Sequence, residues 1–240
     1  MQEPRTISLI ILSDMMCPWC YIGQQELKRA IEAVADLPVS IQVEYRPYCL
    51  QPTLPVDGGL DKRQWLTAKF GGKMPEVESR VTTRAKELGI EINFDGIISH
   101  TLRAHRLCLK AWKLGGQTLQ QNFLDALFVA YFTNGKNIGD PEVLGDLAEA
   151  SGVMSKAETI DFLKTNECTE EVEHMMADAR RKGVTGVPYT VIQNKYAAGG
   201  GLTSEVYIQI FKKLAQTEHT PSTPLSTPMT SLAVGPTCQS

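Results

Sequence analysis

In the stretch SDMMCPWCYIG, residues 13–23, two cysteines stand three apart with a proline and a tryptophan between them. On a helix that spacing puts the second sulfur about one turn beyond the first, close enough for the two to bond. The apolar run Ile7–Leu12 leads in, and Leu27, Ile31 and Val34 repeat at helical spacing beyond it. Cys17 therefore falls where a strand ends and a helix begins. Pro18 suits the first helical position, where a missing N–H costs nothing. A thiol there faces free N–H groups and the positive end of the helix dipole, and both favour thiolate. The pair reads as a redox centre in which Cys17 attacks a disulfide and Cys20 resolves the mixed disulfide.

Two other uses compete. Zinc takes four ligands and the pair supplies two; no second C-x-x-C occurs. His100, His105 and Cys108 lie close in sequence, but His105 and Cys108 would point about 140° and about 80° away from His100 around a helix. A chance pairing fits poorly with the strand before it and the proline beside it. We expect no metal.

The stretch GVTGVPYT, residues 183–190, supplies a second half. A Val-Pro step directly before a strand removes a ladder donor. Its use would be to offer Val187 backbone to an extended partner while the Pro188 nitrogen stays silent. An ordinary loop proline is the other reading. Asp14 could accept a proton for Cys20 or simply cap the turn, and His105 could line the site or sit satisfied in a helix.

The elements that must carry these residues are legible. Thr6–Ser13 reads as a strand buried on both faces, and Val39–Tyr45 alternates as a second strand. From Asp61 to about Lys164 nearly every segment looks helical: a helix closing at Gly89, one closing at Gly115-Gly116, one opening at Asp140-Pro141, and a capping box at Ser155 and Glu158. Thr169–Lys182 is a helix with an acidic start and a basic end. Tyr189–Gln193 and Tyr196–Ala198 form a hairpin turning at Asn194-Lys195, and Thr203–Ala215 is a last helix. Residues 1–60 and 165–216 then make one discontinuous domain, with 61–164 an all-helical insertion. Residues 217–240 are mostly Ser, Thr and Pro, too poor in apolar area to offset ordering, and read as disordered.

The 240 residues are 42% hydrophobic and 21% charged, with a net charge of -3, which suits a globular chain and offers no basic field for nucleic acid. No run approaches the ~20 apolar residues of a membrane helix. Glu3 stands where a signal peptide is basic. We expect a cytoplasmic protein, where a C-x-x-C is more often catalytic than structural.

Taken together, CPWC after a first strand, a helical insertion, GVP before a hairpin and a closing helix resemble the DsbA-like thioredoxin-fold oxidoreductases, FrnE subgroup. YRPYCL (45–50), AHRL (104–107), YFTNGKNIGD (131–140) and EVYIQIFKKL (205–214) agree. The resemblance covers about residues 6–216. It implies an α/β thioredoxin-like fold with the helical insertion between strand 2 and a cis-Pro hairpin. Cys17 would attack and Cys20 resolve, Pro188 would be the cis-proline, and Val187 would pair with substrate backbone. Pro18 and Trp19 would border the substrate. Many relatives outside the subgroup carry histidine at the Trp19 position, so the resemblance implies a milder thiolate shift and a less oxidising protein. The substrate would be a disulfide- or thiol-containing protein or small molecule. No cofactor is required, and glutathione is a candidate reductant or co-substrate. Kappa-class glutathione transferases and 2-hydroxychromene-2-carboxylate isomerases share the fold with serine where Cys17 stands, so a glutathione-dependent transferase is a second reading. A non-catalytic chaperone-like module is a third.

Overall fold

A computed structural model describes residues 4–216, 230–234, 236 and 238–239. At its centre lies β1 (Arg5–Ser13), parallel to β2 (Val39–Pro47) on one side and antiparallel to β6 (Tyr189–Ile192) on the other. β7 (Tyr196–Gly199) follows β6, and β8 (Thr230–Val234) closes the sheet in the order β2-β1-β6-β7-β8. Burial along β1 alternates at its start and becomes continuous from Ile11 to Ser13, as befits a strand covered on both faces where it approaches the cysteines. The β6–β7 turn sits one residue earlier than expected. Gln193 and Asn194 take positive φ, and Lys195 N–H donates to Ile192 O at 3.1 Å.

Helix α1 (Pro18–Ala33) crosses from β1 to β2 and buries Leu27 and Ala30. Packed against it is α8 (Ser204–Gln216), whose first N–H, that of Ser204, donates to the buried Glu26 carboxylate of α1 at 2.9 Å. The same carboxylate pairs with Arg84 of α3 (Met74–Glu87). One acidic side chain thus caps one helix and pins another, complementing the positive end of α8.

The insertion also contains α2 (Lys62–Phe70), α4 (Leu102–Phe128), α5 (Pro141–Ala150) and α6 (Lys156–Lys164). It is not all helical. β3 (Leu60–Asp61) pairs antiparallel with β4 (Ile97–Ile98), a ladder too short to show as alternation. α4 breaks at Gly115 and Gly116, Gly116 having φ 60°, so the chain turns there without a loop. Asp140 accepts from Glu142 N–H, and Ser155 and Glu158 form the reciprocal capping box. Beyond the break, α4 covers the outer edge of β2. Gln117 accepts from Val43 N–H at 2.8 Å, and Gln120 both accepts from Tyr45 N–H and donates to Tyr45 O. Tyr21 of α1 stacks on Phe128 and Phe132, joining the insertion to the helix that carries the cysteines.

α7 (Thr169–Arg181) leads to β5 (Gly186–Val187). The segment read as disordered is partly structured. β8 runs parallel to β7, and β9 (Cys238–Gln239) pairs antiparallel with β5. Composition gives the wrong expectation because these strands need no core of their own: an open sheet edge offers unpaired N–H and C=O groups to any extended backbone. Residues 217–229, 235, 237 and 240 lie outside the described residues.

Candidate active site

Cys17 is the N-cap of α1, with extended backbone (φ -87°, ψ 115°), and Pro18 is the first helical residue. The strand delivers it there, because β1 ends at Ser13 and Cys17 N–H donates to Asp14 O at 3.0 Å, closing a turn. Cys20 sits one turn on, its N–H bonded to Cys17 O, and the two thiols are free and within hydrogen-bonding reach. Opposite them the Val187–Pro188 peptide bond is cis, and Cys17 Sγ donates to Val187 O at 3.5 Å. Gly200 N–H donates to Pro188 O at 2.8 Å, fixing the far side of the proline.

The loop bearing Val187 is held by Tyr48, fully buried, whose hydroxyl donates to Val184 O at 3.2 Å and whose N–H donates to Ser13 O at 3.0 Å. One residue therefore ties the end of β1 to the proline loop. Arg180 of α7 donates to Cys49 O at 2.7 Å and lies over the Tyr48 ring.

Asp14 is wholly buried. Its carboxylate accepts from Leu50 N–H at 2.7 Å and Met16 N–H at 3.4 Å, and stands 3.6 Å from His105 Nε2. These partners make it a brace for the turn before Cys17. His105 is buried too and bonds the Tyr48 carbonyl at 3.0 Å, so it supports the loop from behind. Pro18 and Trp19 are half-buried, and Trp19 packs against the main core and the smaller cluster around Ile22, Met74 and Val81.

The electrostatics of Cys17 differ from the sequence expectation. Its side chain is wholly buried, and burial pushes the thiol well above its ordinary range, with Cys20 and Cys238 adding to the shift. The helix terminus is present, but a thiolate shut away from water loses more in hydration than that terminus returns. Burial likewise pushes Cys49 up to about 11 and Cys108 up to about 12, and these read as inert buried thiols. Among the described residues no group of three His, Cys, Asp or Glu side chains is placed to hold a metal ion.

Cys238 is the residue that sequence reasoning left out. It pairs with Val187 in the β5–β9 ladder and reaches Cys17. The only signal was a cysteine within an otherwise Ser/Thr/Pro-rich tail.

A model of the DSBA-like thioredoxin domain matches residues 8–207. The chain belongs to the DsbA-like thioredoxin domain family, and its fold is thioredoxin-like with a helical insertion. The solved probable DsbA oxidoreductase SCO1869 of Streptomyces coelicolor is 27% identical, with a TM-score of 0.78 over 91% of this chain and 94% of that one. The uncharacterized protein YwbO of Bacillus subtilis is 24% identical over 81% of this chain and 90% of its own length. The cytosolic disulfide reductase DsbM of Pseudomonas aeruginosa, solved with GSH, shares the fold at 18% identity and a TM-score of 0.60, over 88% of this chain and 100% of that one.

Proposed function

We propose that this protein is a thiol–disulfide oxidoreductase of the FrnE subgroup, acting through Cys17 and Cys20. The observation that carries the reading is the juxtaposition at one point of a helix-capping cysteine, its neighbour one turn later and the Val187–Pro188 backbone, with Cys17 Sγ 3.5 Å from Val187 O.

Reduction of a substrate disulfide runs in two exchanges. The Cys17 thiolate attacks one substrate sulfur, a Cys17–substrate bond forms and the other substrate sulfur leaves as a thiol. Cys20 then attacks Cys17 Sγ, the second substrate thiol leaves, and Cys17–Cys20 is left oxidised; the reverse sequence oxidises a dithiol. An extended substrate would pair with Val187 backbone, as strand-adding peptides do. Pro18 and Trp19 would supply the apolar border, and glutathione would serve as a reductant of the oxidised pair. We place the reaction in the cytoplasm, where a C-x-x-C is more often catalytic than structural.

Insulin reduction tests the proposal. Cys17→Ser should abolish activity, and Cys20→Ser should fall well below wild type, because the Cys17–Cys20 disulfide that completes the exchange can no longer form. Activity surviving Cys17→Ser would instead support the glutathione-dependent transferase reading, since serine cannot form a mixed disulfide.

A further inference from the structure

The groove beside the cis-proline, where a substrate strand would lie, is occupied by this chain. β9 pairs antiparallel with β5, with Val187 opposite Cys238 and Gly186 opposite Gln239. Just upstream, Pro236 O accepts from Gly201 N–H at 2.9 Å, beside Pro188. Further upstream, β8 is seated on β7 from Thr230 to Val234. Three successive backbone attachments thus steer the tail along the sheet edge and over the site. Val187 is also the residue whose carbonyl accepts from Cys17 Sγ. The residue opposite Val187 in an antiparallel pair has its Cα about 4.5–5.5 Å away. That position holds a cysteine, half-buried where most of the other thiols are fully buried.

We propose that the Cys238–Gln239 strand is a resident pseudo-substrate and that Cys238 is an internal exchange partner of Cys17. This rests on the oxidoreductase reading above. In the oxidised protein the Cys238 thiolate attacks Cys17 Sγ, the Cys17–Cys238 bond forms as the Cys17–Cys20 bond breaks, and Cys20 leaves as a thiolate that takes up the proton Cys238 has lost. One disulfide is made and one broken, so no outside oxidant is consumed. An incoming substrate thiol then attacks Cys17 Sγ, the Cys17–substrate bond forms as the Cys17–Cys238 bond breaks, and Cys238 leaves as a thiolate that takes up the proton the substrate thiol has lost. The tail thereby holds Cys17 in an exchangeable bond when no substrate is present.

The test uses the full chain with Cys20→Ser, treated with oxidised glutathione and mapped by mass spectrometry without reduction. Glutathione first joins Cys17, and Cys238 then displaces it. We expect a Cys17–Cys238 peptide pair as the main product, and a stable glutathione adduct on Cys17 when Cys238→Ser is added. Cys20→Ala, tested in parallel, serves should the serine variant fold poorly. An adduct of equal lifetime with and without Cys238 would overturn the proposal. If wild type still reduces insulin, that failure belongs to the tail alone; if wild type reduces nothing and Cys17 takes no glutathione, both readings fall.

Discussion

Cys17 stands under two opposed influences, a helix terminus that favours thiolate and a burial that favours thiol, and the second prevails while the tail strand is seated. The sign of the pH dependence follows. A thiol whose folded pKa is raised stabilises the fold below its unfolded pKa of about 8.5, and that contribution is lost as pH climbs through the folded value. Cys17, Cys49 and Cys108 all act in this direction. Asp14 permits a sharper test. Removing its carboxylate leaves the Leu50 and Met16 N–H groups without an acceptor in a buried turn. Asp14→Ala should cost about 1–3 kcal/mol in urea unfolding. Asp14→Asn should recover part of that stability and exchange at near wild-type rate; slow exchange at unchanged stability would instead make Asp14 the proton relay. The cysteine spacing and Pro18 could be read directly from the sequence because they are local. The state of Cys17 could not, because it depends on which distant segments cover it.

Long strands and capped helices were legible, since period, caps and glycine stops are local signals: the Ser155–Glu158 box and the Asp140 cap formed as expected. The two-residue β3–β4 ladder and the break that lets α4 fold back were partly or wholly hidden, because pairing between distant residues leaves no periodic trace. The glutamines of that returning segment carry a measurable load. Gln120→Leu strips Tyr45 N–H and C=O of their buried partner and should destabilise by about 1–3 kcal/mol. Lys62 offers a pH signature within the insertion. It is buried, donates to Asn93 O and Tyr131 O, and burial lowers its pKa to about 8. For a lysine the unfolded chain binds the proton more tightly, so wild-type stability should rise, relative to Lys62→Met, from pH 8 to about 10.5. The gap between the two, read by urea unfolding at pH 7.5 and 9.5, should change by on the order of 1–2 kcal/mol.

At the scale of the whole molecule, the tail links sheet edge to active site. Ending the chain after Val234 removes β9 and the Cys238 thiol that adds to the Cys17 shift. Iodoacetamide labelling of Cys17 at pH 7.5 should then accelerate about tenfold for each unit by which its pKa falls; an unchanged rate would show that the core alone, without the tail, sets the state of Cys17. This long-range arrangement was the least legible in the sequence, since a Ser/Thr/Pro-rich stretch says nothing of an edge it can borrow. The glutamines on β2 and the β8 strand on β7 act together in one further respect. Between them they occupy both flanks of the sheet. A neighbouring copy seeking to extend the sheet meets amide side chains on the β2 border, whereas on the other border β8 replaces β7 as the outermost strand. Self-association through β-pairing is thereby directed to β8, part of the same tail whose last strand covers the cysteines.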